Sequence, residues 1–516
     1  MTIGLKQIKY RALVGIFLFL LLFLWGCEPF YNPVDVGDVP TSPGSVWDKK
    51  PIIVRETEKN PFTEADLSET MSLPLLLDMA LYNNPSTRSS WNAARASAYA
   101  YRVSLSPYYP TIVYTGSLNA QTNSGTRYSA SGGGIVSVPG PTGATPPTVR
   151  STNQVNTLTL NYLLLDFGGR SATAELAQQV LYASNWEHDY TMQQVMLSVL
   201  NAYTSYLGNK GLVEAYEQDL KDAQTALDAA KVMRSAGLST LTDVLQTQST
   251  LELTRTSLIQ AQGSEKTSIG ELLIAVGLPP DANISIEDLP KYLPEIEVSG
   301  DLSSLLELAK QKRPDLGIAI AAIKQQEAQL AISYSNSMPQ LSANGNWDQV
   351  RFLSPRAPSG YNKSASIELN FPIFQGFYYM NQQRQLRAQL EEALANLDVQ
   401  VAAVSTQVVT NYYAFTSAEA ALPSSRAAVE YSTRAYRGYV MQYKTGSASI
   451  LDVLNALTTL SNARSQEVLT RTQWAASLAN LAFSVGTLQD TSGQWVPGPP
   501  TQYELPLRDN NEPITE

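Results

Sequence analysis

The chain has 516 residues, 44% of them apolar, and a formal net charge of -10, so it can bury a sizeable core but makes a poor partner for nucleic acid. A single Cys and a single His leave no disulfide framework, no zinc cluster and no recognisable catalytic triad. Neither catalysis nor a cofactor is expected.

At the N-terminus, Lys6, Lys9 and Arg11 precede an apolar run from Ala12 to Trp25. That run is too short to span a bilayer comfortably and has the shape of a signal-peptide core, so residues 1–26 read as an export signal. It ends in Leu-Trp-Gly-Cys, which resembles a bacterial lipobox although Trp25 is an unusual occupant of its place. Cys27 is then the expected acylation site, with palmitate as one of its lipids; a chance Cys at the end of a signal peptide is the alternative. Glu28 in place of Asp directly after it fits an outer-membrane destination. Residues 27–72 follow as a lipidated N-terminal extension.

The remainder is written twice. Gly237 and Gly446, Asp243 and Asp452, and Gly277 and Gly486 are each 209 positions apart, whereas Pro85 and Pro314, and Pro110 and Pro339, are 229 apart. An insertion in the first copy accounts for the difference, and the Gly- and Pro-rich stretch from Gly132 to Pro147 is the candidate for it. Residues 73–280 form repeat 1, 281–300 a linker, 301–488 repeat 2, and 489–516 a Pro-rich tail.

Within each repeat a helix comes first, from Pro85 to Ser106 and from Pro314 to Ser337. Two strands follow as a hairpin, at about 110–166 and about 340–374. Thr157 to Leu164 alternates Leu158, Leu160, Tyr162 and Leu164 with polar residues, and Ser364 to Phe371 repeats that period of two. Membrane-barrel strands alternate in this way, as does a soluble half-buried sheet. No apolar stretch after the signal is long enough for a membrane helix, so any span must be made by strands in a closed barrel. Each chain brings four strands where the smallest bacterial barrels use about eight; three copies would supply twelve.

After the first hairpin no Pro occurs from Phe167 to about Ala236, room for a helix on the order of 100 Å long. Val213, Tyr216, Leu220, Ala223, Leu227 and Ala230 make a heptad seam along it, and Val429, Ser432, Tyr436, Tyr439 and Tyr443 make another in repeat 2. Gly208 with Gly211, and Pro423, interrupt the two long helices and predict kinks. Gly237 and Gly446 end them. Return helices run from Thr240 to about Ala275 and from Ser449 to about Phe483, positioned to stack end to end with the helices that start at Pro85 and Pro314.

Duplicated and in this order, the strand-to-helix junctions "LLLDFGGR" and "FPIFQGF", the two Gly to Asp-Val-Leu tips and the closing "VGL" and "VGTL" resemble the TolC family of outer-membrane efflux and secretion channels, over nearly all of residues 70–490. The resemblance implies an α+β membrane protein: a homotrimer whose twelve-stranded barrel continues into a twelve-helix periplasmic tunnel, closed at its far end by the helical tips. The family narrows its tunnel mouth with an acidic pair; here the motif reads Asp452-Val453-Leu454-Asn455, so Asp452 carries over and Asn455 departs. It also implies a gate tie between Tyr443 and Asp243, with Ala448 where the family has Arg. Tips at Gly237, Leu238, Ser239, Gly446 and Ser447, flanked by Thr240 and Ser449, would meet a periplasmic adaptor (membrane fusion protein) that joins the channel to an inner-membrane pump. Asp452 as an ordinary first-turn acid and Tyr443 as plain heptad core stand beside these readings. The implied function is the exit duct of a tripartite efflux or type I secretion system in the outer membrane of a Gram-negative bacterium. Its cargo is open among drugs, metals and proteins. A structural coiled-coil periplasmic lipoprotein is the alternative, but it leaves the alternating strands unexplained.

Overall fold

A computed structural model describes residues 70–124, 127–128, 135–136, 148–282, 284–287, 301–353 and 360–488. Cys27, the export signal, most of the insertion and the Pro-rich tail lie outside them. Repeat 1 runs α1 (Leu73–Asn83), α2 (Pro85–Ser104), β1 (Thr111–Ser124), β2 (Thr148–Leu165), α3 (Gly169–Ser235) and α4 (Leu241–Val276). Repeat 2 runs α5 (Leu302–Lys312), α6 (Pro314–Asn336), β3 (Gln340–Phe352), β4 (Gly360–Asn370), α7 (Tyr378–Lys444) and α8 (Ile450–Val485). The helices α3 and α7 are both 67 residues long, and α4 and α8 both 36. At about 1.5 Å per residue each long helix extends about 100 Å.

The contacts sort these elements into four side-by-side columns. β1, α2 and α4 form the first, β2 and α3 the second, β3, α6 and α8 the third, and β4 and α7 the fourth. The strands pair antiparallel in the order β1-β2-β3-β4. Below them α3 packs against α2 and α4 on one side and α6 and α8 on the other, whereas α7 packs mainly on α8 and α6, with smaller contacts to α5 and α3.

End-to-end stacking follows from the caps. α4 and α8 stop at Gly277 and Gly486, whose φ of 82° and 80° lies in the left-handed region that glycine tolerates. Asn84, between α1 and α2, donates from Nδ2 to the Ala275 carbonyl at 3.0 Å. In repeat 2 Arg313 takes that place, donating to the Phe483 and Ser484 carbonyls while pairing with Asp315 at 2.6 Å. A methyl group on Gly277 would come 2.9 Å from the Asn83 backbone, and one on Gly486 would come 2.9 Å from the Lys312 carbonyl. Each joint is therefore closed by a residue without a side chain.

Apolar side chains form three clusters along the columns. One joins all four long helices near the tips through Ala230, Leu227, Tyr436, Val453 and Leu460. Another joins α1, α3 and α4 through Leu76, Met79, Val199 and Leu272, and a third joins α5 to α8 through Leu397, Val408, Phe415 and Trp474. Residues 70–71 pair in parallel with 285–286, tying the start of repeat 1 to the linker beside the second cluster.

Three expectations need correction. Gly208 and Gly211 do not interrupt α3. They let α8 approach: a Cβ at Gly208 would sit 2.6 Å from Thr472 Oγ1, and one at Gly211 would sit 3.1 Å from Val468 Cγ1. Helix α7 likewise continues through Pro423, because the packed third column holds the chain helical where one backbone bond is lost. Tyr439 is exposed rather than in the seam, and Val440 packs on the core instead, since α7 is covered on one side only. The short helices α1 and α5 were not anticipated as separate elements.

Candidate functional site

Register gives the sheet two unlike faces. Ile112 sits opposite Leu160, Leu158 opposite Trp347, Ala343 opposite Ile367, and Leu341 opposite Leu369. On the other face Thr115 meets Thr157, Asn346 meets Ser364, and Ser342 meets Glu368. Ile112, Leu158, Leu160, Trp347, Ile367 and Leu369 are all exposed. An exposed apolar face behind a polar one is what lipid on one side and water on the other require. The outer strands β1 and β4 have no partner on their far edges among the described residues.

Where the sheet meets the helices, the backbone turns through left-handed residues. Phe167 and Phe377 have φ of 49° and 63° and are the non-glycine residues in that region among those described. The first turn is clamped: Asp166 accepts the Arg170 amide at 2.6 Å, and Ser335 of α6 donates to the Asp166 carbonyl at 2.5 Å.

At the opposite end the two helical tips repeat each other's backbone bonds. Gly237 and Gly446 have φ of 78° and 77°. The Leu238 amide reaches back to the Met233 carbonyl at 2.9 Å and the Ser447 amide to the Gln442 carbonyl at 2.8 Å, each closing the six-residue loop that terminates a helix. The return helices then start with reciprocal caps. Thr240 Oγ1 accepts the Asp243 amide at 3.2 Å while Asp243 Oδ2 accepts the Thr240 amide at 2.9 Å; Ser449 and Asp452 do the same at 3.2 and 2.8 Å. These bonds hold both carboxyls below the usual carboxylate range. For Asp243 the Thr240 amide acts most and the Ser239 hydroxyl next; for Asp452 the Ser449 hydroxyl leads, followed by its amide. Asp452 and Asn455 lie one turn apart on α8, and Asn455 is exposed.

Tyr443 is buried and crosses between the repeats. Its hydroxyl donates to Ser239 Oγ at 3.2 Å, and Ser239 donates to Asp243 Oδ2 at 2.7 Å. Ser239 thus stands between the two residues expected to touch. The sequence held a signal for it, since a Ser four residues before a first-turn Asp is placed to hydrogen-bond it. Leu238, Leu241, Leu245 and Leu451 leave an exposed apolar rim around the tips.

Sequence reasoning missed an ionic cluster farther up the same helices. Asp219 of α3, 1% exposed, accepts from Arg464 and Ser461 of α8, both at 2.5 Å. Arg464 also pairs with Asp222 at 2.8 Å, and Tyr436 of α7 donates to the Asp222 carbonyl at 2.7 Å. Three helices are joined there. The available signal was Asp219 beside an apolar heptad seam, where a buried charge needs a partner. His188 has a structural place between α2 and α3, 2.8 Å from Ser90 Oγ, with burial lowering its pKa. No described helix is long and apolar enough to cross a membrane.

Two strand pairs with one apolar face, carried on two long helical hairpins that meet at capped tips, define a class of envelope protein in which a membrane sheet continues into a helical wall. The sequence profile of the outer membrane efflux protein family matches residues 76–278 and 305–487, and the chain belongs to that family. Protein CyaE of Bordetella pertussis is 26% identical over 426 residues, covering 82% of this chain and 86% of its own. The probable efflux pump outer membrane protein TtgC of Pseudomonas putida is 24% identical over 431 residues, covering 80% and 83%, and the proteases secretion protein PrtF of Dickeya chrysanthemi is 20% identical over 347, covering 66% and 74%. Among solved structures, the outer-membrane channel OprN superposes with a TM-score of 0.69 at 18% identity, covering 80% of this chain and 90% of that one. VceC of Vibrio cholerae gives 0.67 at 20%, covering 80% and 96%. The fold is shared with both. Membership of a transport family disfavours the coiled-coil spacer.

Proposed function

We propose that three copies of this chain form a trimeric exit duct, a twelve-stranded barrel in the outer membrane continuing into a twelve-helix periplasmic tunnel. One observation carries the reading: the four-stranded sheet has a lipid-compatible face and a water-compatible face, yet ends in the unpaired edges of β1 and β4. An open sheet edge is not tolerated in hydrocarbon. Pairing β4 of one copy with β1 of the next closes the ring and sets α7 beside the neighbour's α2 and α4. Residues 73–280 and 301–488 then act as two equivalent sixths of the wall, one per half chain.

In this assembly Asp452 and Asn455 face the narrow end as the pore constriction. The Tyr443–Ser239–Asp243 chain ties the second tip to the first, and Gly237, Leu238, Gly446 and Ser447 with the apolar rim receive a periplasmic adaptor coupled to an inner-membrane pump. Cys27 carries the lipid that anchors the chain in the outer membrane; loss of palmitate incorporation in Cys27→Ser tests that point.

The test of the whole is the mass of the detergent-solubilised chain together with ion conductance in planar bilayers. A trimer that conducts is the expected result. A monomer in lipid, with no conductance, would overturn the reading.

A further inference from the structure

Helix α2 contains Arg88, Arg95 and Arg102 and no acidic residue, in a chain whose net charge is -10. The three arginines are seven residues apart, so they fall on one stripe. All are exposed, and Trp91 and Tyr99 beside them are 49% and 57% exposed. Arg95 lies 4.6 Å over the Trp91 ring. Buried Thr87 and Ala94 mark the opposing face, against α3. Among the described residues none of the three arginines has an acidic partner.

On the matching stripe of helix α7, Arg384 and Arg387 near the strands give way to acids farther down. Glu391 and Asp398 are also seven apart and exposed, with Glu392 adjacent, and no described base pairs with them. The heights agree. Ser90 meets His188 and Ser97 meets Ser184, each at 2.8 Å, which sets α2 antiparallel beside α3. The arginines are therefore level with about residues 192, 185 and 178 of α3, and by the 209-residue repeat with about residues 401, 394 and 387 of α7. Arg95 then falls between Glu391 and Asp398, with Arg88 below Asp398, whereas Arg102 is level with Arg387 and lies outside the matched stretch. Wound at about 100° per residue, both stripes emerge on the same side of the wall.

The geometry points to a charge-matched seam between copies: Arg88 and Arg95 of α2, flanked by Trp91, dock on Glu391 and Asp398 of α7 in a second copy of this chain. The inference rests on the trimeric reading and deepens it by naming the contact just below the strands that sets which copy edge meets which. It is continuous with the free edges of β1 and β4, which lie at the tops of the same two columns. Exposed aromatics beside arginine are the composition of an interface rather than of open surface. A heptad-spaced row of opposite charges fixes register along a helix pair.

The experiment reverses charge in the full-length, detergent-solubilised protein and reads the trimer fraction against salt. Arg95→Glu is expected to raise dissociation about fivefold at low salt, with the difference shrinking at high salt. Arg88→Glu and Arg95→Glu combined with Glu391→Arg and Asp398→Arg are expected to restore the trimer, which a folding defect could not do. In a second arm, Arg95→Cys with Asp398→Cys is expected to cross-link one copy to the next. A monomeric wild type would overturn the trimer and the seam with it. A trimeric wild type that tolerates Arg95→Glu and yields no cross-link would overturn the seam alone. Loss of binding to anionic phosphatidylglycerol vesicles, with an intact trimer, would assign the stripe to lipid and also overturn it.

Discussion

Tyr443, in the last turn of α7, donates its phenolic hydrogen to Ser239 of the other repeat at 3.2 Å, and the bond is the first link of a chain that ends on Asp243. One hydroxyl therefore couples the end of one helical hairpin to the first turn of the other. Tyr443→Phe and Ser239→Ala should each weaken tip-to-tip packing by about 1 kcal/mol. The double variant should cost little more than either single one, because both changes break the same link. A double-mutant cycle read by hydrogen exchange at the tips, with leak conductance beside it, decides this; simple additivity would remove Ser239 from the tie.

Asp243 and Asp452 have pKa values depressed by their caps. A carboxyl whose folded pKa is lowered contributes stability that is complete above its unfolded value of about 4 and disappears as pH falls through the folded value. Protection of the first turns of α4 and α8 should therefore stay flat from neutral pH down to about 4 and decline only below it. Asp243→Asn should remove the decline in α4 and leave that in α8, measured by hydrogen exchange across the acid range.

Arg464 offsets the buried charge of Asp219, whose side chain is 2% exposed. Arg464→Met strands that carboxylate and should destabilise the helical wall by about 3–5 kcal/mol. Adding Asp219→Asn should recover much of the loss, since the stranded charge goes with it. Thermal unfolding of the purified protein supplies the comparison; equal stability of the single and double variants would mean that the cluster is solvated.

Gly208 and Gly237 separate two reasons for glycine. At Gly237 the space is open but φ is 78°, so Gly237→Ala should cost about 1 kcal/mol through the backbone alone. At Gly208 the backbone is ordinary but Thr472 is in the way, so Gly208→Ala should be rescued by Thr472→Ala and Gly237→Ala should not. Melting temperatures of the four proteins test the contrast.

Asn455 stands one turn from Asp452 on an exposed face. If these residues line the constriction, Asn455→Asp should raise cation selectivity and Asp452→Asn lower it. Reversal potentials in a salt gradient measure both, and no shift in either variant would place the constriction elsewhere.

What the order of residues by itself determined is everything that depends on neighbours in the chain. The period of two in Leu158 to Leu164, the absence of Pro along α3, the glycines at 237 and 446 and the Thr240 and Ser449 caps each act over a few residues. The repeated elements and their ends were legible for that reason. Only the tertiary structure decided contacts between distant residues: Ser239 between Tyr443 and Asp243, Arg464 on Asp219, and Thr472 against Gly208. Periodicity assigns a side chain to a helix face but says nothing of which helix covers that face. Gly208 and Tyr439 were misread because a glycine can mark close approach as well as a break, and because a heptad seam is buried only where a second helix lies along it. Packing of four columns, in which each column has one or two neighbouring columns, made that choice.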